Sequence, residues 1–396
     1  MGYISLLRNR AFVALWIGES VSAMGDRINT LGLVLLVYEL TGSGLAVGAL
    51  TLAQAVPTLA LGLLAGAVVD RYPRTAILIF SNILRGLLIL TLPLARGMTH
   101  IYLVAFALSS VGVFFTPALR SALPTVVGGP HLLAANGLLK LTRETMLMIG
   151  AGLGGLLVAQ FGGSAAFVIN ALTFFFAAAC AAVVRLSPPS SPLSETGRRR
   201  VLWGEILEGL GFLRRQRALI GVQALALLFA AASGMTGPLV VVLAKDRLDL
   251  GAQGFGFILA GMSAGALAGA ALAGWLGGRF SPGRLLRWSL LAFGAALLGA
   301  ASTTNPVLAL GAFTLYGLSS VVGGITYQTA VQAMTPDVLR GRVLSSLGLT
   351  YALTSLAALV LGGWLNDLTG VLPVFALAGV LALMGGSVAW GLLREC

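Results

Sequence analysis

Charge is what this chain has least of. Only 10 % of its 396 residues are Asp, Glu, Lys or Arg, against about 25 % in a soluble globular protein. Acids number 13, and Lys140 and Lys245 are the only lysines among 25 basic residues. With charge so sparse, most of the chain must lie where water is absent. The two cysteines, Cys180 and Cys396, provide no disulfide framework. The two histidines, His100 and His131, are too few and too far apart for a metal cluster, so neither metal nor cofactor is expected. A phosphate-cradling G-x-x-x-x-G-K-[ST] loop is absent, which argues against a nucleotide-driven pump. No nucleophile–base set accompanies the histidines, which argues against an intramembrane enzyme.

What the chain has instead is apolar sequence. It is 58 % hydrophobic with a mean hydropathy of +0.96. The net charge of +12 does not mark a nucleic-acid binder, because the basic residues sit singly between apolar runs rather than on one soluble face. A spanning helix needs about 20 mostly apolar residues. That rule predicts twelve spans, at 11–40, 44–69, 75–95, 99–123, 132–159, 163–185, 217–244, 251–277, 284–303, 306–333, 341–366 and 370–393. The N-terminus resembles a signal peptide, but Glu19, Asp26 and Arg27 interrupt its apolar run and no small-residue cleavage site follows. An uncleaved first helix is the expectation.

The one long connection, 186–216, opens with S-P-P-S-S-P, which cannot continue a helix. Trp203, Ile206, Leu207, Leu210 and Leu213 then recur at helical spacing, flanked by Arg198–Arg200 and by Arg214, Arg215 and Arg217. This predicts an amphipathic helix on the membrane surface, linking a six-helix bundle at 1–185 to another at 217–396. With the N-terminus in the cytoplasm, 18 basic residues fall inside and 3 outside, with four within helices. That bias places both termini and the linker in the cytoplasm.

The halves look duplicated. G-A-V-V-D-R-Y-P-R (66–74) returns as G-W-L-G-G-R-F-S-P-G-R (274–284), 208 residues later. L-R-S-A-L-P ending at Pro124 returns as V-Q-A-M-T-P ending at Pro336, offset by 212. Gly62, Gly66 and Asp70 recur every fourth residue and share a helix face, so the glycines allow close approach of another helix. Related six-helix halves about a central path are expected. The fold class predicted is therefore all-α and integral to the membrane, with twelve helices in two pseudo-symmetric bundles.

These features together resemble the major facilitator superfamily. Stretches that are similar to its drug-, macrolide- and enterobactin-exporting branch are S22-A-M-G-D26, Y38-E-L-T-G-S43, R120-S-A-L-P124, A135-N-G and E208-G-L-G-F-L-R-R215. The resemblance implies a secondary exporter in the inner (cytoplasmic) membrane, expected as a monomer. It implies proton-coupled efflux of a small amphipathic substrate such as a drug, macrolide or siderophore. The alternatives are a lipid or lysophospholipid transporter and a proton-independent facilitator. It also implies a cytoplasmic gate in which Asp70, Arg71 and Arg74, after Gly66, meet Arg120 and the helix start near Gly341. An acid at a positive helix end is stabilised, which makes such a latch physically reasonable; fixing orientation alone is the other reading. The second copy keeps Arg279 but has Gly278 in place of the acid. The antiporter signature G-P-x-x-G-G appears as G150-A-G-L-G-G155, with Ala151 replacing the proline.

Charges inside hydrocarbon are the candidate functional groups. Glu19 and Asp26, seven residues apart, share a face of helix 1 about 10 Å apart along its axis, with Ser22 between them. Burial disfavours a charged carboxylate and a nearby cation favours it, so an acid moving between such environments can carry a proton. Arg85 and Arg143 are the candidate cations; a permanent structural pair with Asp26 is the alternative. Glu144 lies four residues after Lys140, the spacing of a local ion pair. In the second half, Gln223, Thr236, Tyr316, Tyr327, Gln328, Gln332 and Tyr351 are either cavity-lining groups for a bulky amphipath or helix-packing residues.

Overall fold

The structure is a computed structural model, and it describes residues 6–95, 97–128, 131–184, 216–335 and 337–392. Among them are twelve long helices: α1 Arg10–Thr41, α2 Gly44–Arg71, α3 Arg74–Ile89, α4 Met98–Val127, α5 Leu132–Phe161, α6 Gly163–Ala182, α7 Arg217–Thr236, α8 Ala252–Gly277, α9 Pro282–Ser302, α10 Pro306–Met334, α11 Asp337–Thr369 and α12 Val371–Leu392. Ten carry spans long and apolar enough to cross a membrane, and α12 has a shorter apolar stretch, Val371–Ser387. The remaining helix, α1, has the length but carries Glu19, Asp26 and Arg27 within it. The linker with its expected surface helix lies outside the described residues.

Local chemistry explains the helix ends. The Asn9 side chain accepts from the amides of Ala11 and Phe12 and so starts α1. Asn305 does the same for α10 through Val307 and Leu308. Pro73 precedes α3 and Pro282 opens α9, each where a missing N–H costs nothing. Gly162 (φ 78°) and Gly370 (φ 85°) make the tight turns α5–α6 and α11–α12 in the left-handed region. They are 208 residues apart, the separation already seen between Gly66 and Gly274.

Prolines also correct the expected boundaries. Gly237-Pro238 ends α7 at Thr236, so the span expected to run to 244 is broken and continues as a short turn and a wide-turned segment, Leu243–Arg247. Helix α3 stops at Ile89, ahead of a 3₁₀ turn containing Pro93. Conversely, α4 runs through Pro117 and Pro124 to Val127, past the expected end at 123.

By its contacts the chain divides into two compact units. Unit 1 is Met1–Thr41, Ala49–Glu195 and Ala252–Ala260; unit 2 is Gly42–Gly48, Thr196–Gly251 and Gly261–Cys396. In unit 1, α1 is packed from two sides. Gly18, Gly25 and Gly32, spaced by seven, form a stripe against Ala177 and Cys180, Asn170 and Thr173, and Ala166 and Phe167 of α6. On another side Gly150 and Gly154 of α5 lie against the α1 backbone at Met24 and Ile28. Small residues let helices in lipid approach until their backbones touch. The glycines of the altered antiporter signature thus pack helices, and Gly155 does so against Ala252 and Gly256.

Unit 2 uses the same device where α8 crosses α10. A side chain on Gly265 would strike the Thr314 carbonyl, and one on Gly317 the Met262 carbonyl. The N-terminus of α2 also belongs to this unit: Asp367 of α11 accepts from Ser43 Oγ (2.6 Å) and the Gly44 amide (3.0 Å), satisfying the first turn from a distant helix. Gly317→Val is expected to cost more than about 3 kcal/mol by overpacking, seen as loss of the monodisperse gel-filtration peak. Gly274→Val, on the same α8–α10 pair but facing open space, should leave that peak intact.

Candidate functional site

The glycine stripe decides where the acids of α1 point. Glu19 and Asp26 each follow a stripe glycine, so each is turned about 100° from the α6 contact, away from both packed sides. Asp26 lines a cavity of about 550 Å³ within unit 1, together with Asn29, Thr30, Gln54, Thr58, Arg85, Ser109, Thr116 and Phe174. Glu19 lines a second cavity, of about 560 Å³, with Arg120, Asn136, Lys140, Arg143 and Glu144. Thr116 borders both cavities.

Arg85 is buried and its contacts are to neutral groups. Its Nη2 donates to Asn82 Oδ1 at 2.6 Å and its Nε to the Ser81 carbonyl at 3.4 Å. The guanidinium lies 4.6 Å from the Phe115 ring centre and 4.4 Å from that of Phe174. A planar cation between two aromatic faces keeps its charge without a hydrogen-bonded acid. Arg85 is also the foremost cationic neighbour of Asp26, ahead of Arg143. The expected partnership is therefore electrostatic, across the cavity wall. Polar groups nearby are only partly satisfied: Asn29 Oδ1 is buried with no hydrogen-bond partner, while Asn170, whose Oδ1 accepts from Thr173 Oγ1 at 3.0 Å, stands beside Asp26.

The structure sorts the sequence candidates. Arg143, exposed on α5, joins Glu19 rather than Asp26 in its cavity, and Arg120 joins it there. Lys140 and Glu144 line that cavity together, and Glu144 also faces Arg27 electrostatically. Ser22 is buried, 3 % exposed, and is not among the residues lining either cavity, so it packs helices. Of the gate residues, Arg71 is exposed, Arg74 donates to Thr125 Oγ1 at 3.3 Å, and Arg279 stacks 3.9 Å over Trp275. The side chains of Gly66, Asp70 and 336–342 lie outside the described residues.

In unit 2 a cavity of about 340 Å³ is lined almost wholly by apolar groups, with Tyr327 and Tyr351 at its wall. Tyr327 donates to Gln223 Oε1 at 2.6 Å, and Gln223 Nε2 donates to Thr350 Oγ1 at 2.8 Å and the Leu347 carbonyl at 3.3 Å. Tyr316 belongs to an aromatic cluster, 4.6 Å from Phe293 and 6.3 Å from Phe313, and reads as packing. Gln328 is exposed and does not line this cavity.

Sequence reasoning missed Asn29, Gln54, Thr58, Asn82, Ser109 and Asn170. Their signal was weak, since an uncharged amide or hydroxyl in an apolar span carries no visible cost. A search for amides at helix-midpoint positions would have found Asn29, Asn82 and Asn170.

Ten helices long and apolar enough to cross a membrane, with charged side chains lining cavities among them, define a multi-pass membrane protein. The comparisons agree. A profile of the transmembrane secretion effector family matches residues 1–395, and the chain belongs to that family, within the major facilitator superfamily. It is 29 % identical to the multidrug efflux pump Tap of Mycolicibacterium fortuitum over 386 residues, covering 92 % of this chain and 91 % of Tap. It is 27 % identical over 395 residues to YfiS of Bacillus subtilis, an uncharacterized MFS-type transporter, covering 97 % and 93 % of the two chains. The crystal structure of the nucleoside transporter NupG shares the fold, with a TM-score of 0.78 at 13 % identity over 98 % of this chain and 100 % of that one. The protein is a multi-pass membrane transporter.

Removing the Asn82 carbonyl strands a buried cation, and a hydrogen bond to a charged group is worth about 1.5–3 kcal/mol. Asn82→Ala should therefore lower the melting temperature in detergent by several degrees. Asp26→Asn, which removes a desolvated charge, should leave it unchanged or raise it.

Proposed function

We propose that the protein exports small amphipathic compounds by alternating access, driven by protons bound and released at Asp26. The observation that carries this reading is the placement of Asp26 on the wall of a polar cavity beside a cation whose own contacts are to neutral partners. An acid locked in a hydrogen-bonded ion pair would have little freedom to change protonation state; one facing a cavity and a fixed positive charge has that freedom. Arg85 supplies a fixed positive charge on the wall of the same cavity. Glu19, in the neighbouring cavity and within electrostatic reach of Asp26 and Arg143, is the secondary site.

Support for efflux of amphipaths comes from the pump relative and from the apolar cavity of unit 2, which offers no ionised side chain to a sugar or a small ion. The distribution of Lys and Arg supports an orientation with both termini in the cytoplasm. Asp70, Arg71, Arg74 and Arg120 are assigned the cytoplasmic gate, and no chemistry is catalysed. Transport, not hydrolysis or transfer, is the role the cavities serve.

In proteoliposomes with a pH gradient, wild-type protein should accumulate ethidium on the acidic side, and collapse of the gradient should stop it. Asp26→Asn should abolish the gradient-driven accumulation. Equal accumulation by that variant would remove Asp26 from the coupling, and accumulation indifferent to the gradient would show a facilitator. Flip of a lysophospholipid but not of ethidium would favour the lipid-transport alternative.

A further inference from the structure

The apolar cavity of unit 2 has a composition that narrows what it can hold. It reaches behind the tyrosines to Leu286 and Leu290 of α9. No ionised side chain lines it. Its polar atoms are chiefly hydroxyls, and for one of them the donor direction is fixed. The Leu347 carbonyl can only accept, so the Gln223 amide nitrogen faces it and Gln223 Oε1 faces Tyr327. Tyr327 must therefore spend its proton on Gln223, and its oxygen lone pairs remain for an incoming N–H or O–H.

Three glycines line the same cavity: Gly323, where a Cβ would press on Ser289, and two with open space before them, Gly324 on α10 and Gly348 on α11. A Cβ built on either of these two meets nothing within 4 Å. Neither helix needs glycine there to pack, unlike Gly265 and Gly317 elsewhere in the unit. What a side chain at these positions would occupy is the cavity itself.

We propose that this recess is a ligand site for the flat, aromatic body of the exported compound, with an N–H of that compound donating to Tyr327. The assignment rests on the efflux reading above and adds the class of substrate, an aromatic amphipath carrying an N–H donor. Gly324 and Gly348 set the size limit of the site by leaving it unfilled. At about 340 Å³ the recess is at the small end of ligand cavities, so it accepts a tricyclic body and rejects an intact macrocycle. The aromatic faces of Phe229 and the tyrosines suit a delocalised cation, because the ring face carries negative potential.

Two probes separate the claims: ethidium, a planar cation with N–H donors, and tetraphenylphosphonium, an aromatic cation with none. Binding to purified protein is read by fluorescence for ethidium and by equilibrium dialysis for tetraphenylphosphonium, and export is read separately in proteoliposomes. Gly324→Leu and Gly348→Leu should each weaken ethidium binding about tenfold or more, a loss of about 1.4 kcal/mol. Tyr327→Phe should weaken ethidium several-fold and leave tetraphenylphosphonium unchanged. Gly348→Ala, which adds a single methyl, should give a smaller loss and decides the matter if a leucine variant does not fold. If the folded glycine variants bind ethidium as wild type does while wild type exports it, the site is wrong and the efflux proposal stands. If wild type neither binds nor exports either cation, both fall.

Discussion

A charge held inside hydrocarbon must be compensated on the spot, and that requirement shapes unit 1. Arg85 meets it without an acid in contact: an amide oxygen, a backbone carbonyl and two aromatic rings surround the guanidinium. The cation is thereby fixed in place and in charge. Asp26 is then free to be a neighbour of that charge rather than its hydrogen-bonded partner. Helix α1 makes the arrangement possible, because its seven-residue glycine stripe fixes the rotation of the helix against α6 and aims both acids at open cavities.

The two units divide the chemistry unequally. Unit 1 carries the charges of α1 and α3 and two roomy, polar cavities. Unit 2 carries a smaller, apolar recess edged by tyrosines, with its buried glutamine satisfied by Thr350 and Leu347. Under the proposed function, unit 1 holds the titrating group and unit 2 the oily body of the cargo. A transporter whose driving ion and cargo occupy different half-molecules can couple them only through a conformational equilibrium that both bias. That is the thermodynamic content of the alternating access proposed above.

Much of the architecture was legible in the sequence because lipid leaves few choices. Apolar runs near twenty residues, separated by turns with proline or glycine, give the helices, and errors gathered where proline acts locally. Pro238 broke α7, whereas Pro117 and Pro124 were carried inside α4. Charged candidates were legible for the same reason: Asp26, Glu19 and Arg85 stand out against an apolar background, and all three line cavities. Their surroundings were not legible. Nothing in the spacing of Asn82, Phe115 and Phe174 announces that they enclose one guanidinium, since they come from three helices. Similarly, the hydroxyls and amides of unit 2 could not be divided between cavity and packing until Tyr327 and Tyr351 were seen at the recess, Tyr316 in the aromatic cluster and Gln328 on the exposed side.

Proton coupling as proposed requires a carboxyl group in the cavity that changes protonation while the protein stays folded. Infrared difference spectroscopy on purified protein, stepped in pH, reads that directly through the carbonyl stretch of a protonated carboxyl. A band that grows on acidification in wild type and vanishes from the Asp26→Asn spectrum is the result expected. An identical set of carboxyl bands in the two proteins at every pH would contradict it, and would leave Asp26 as a fixed element of structure.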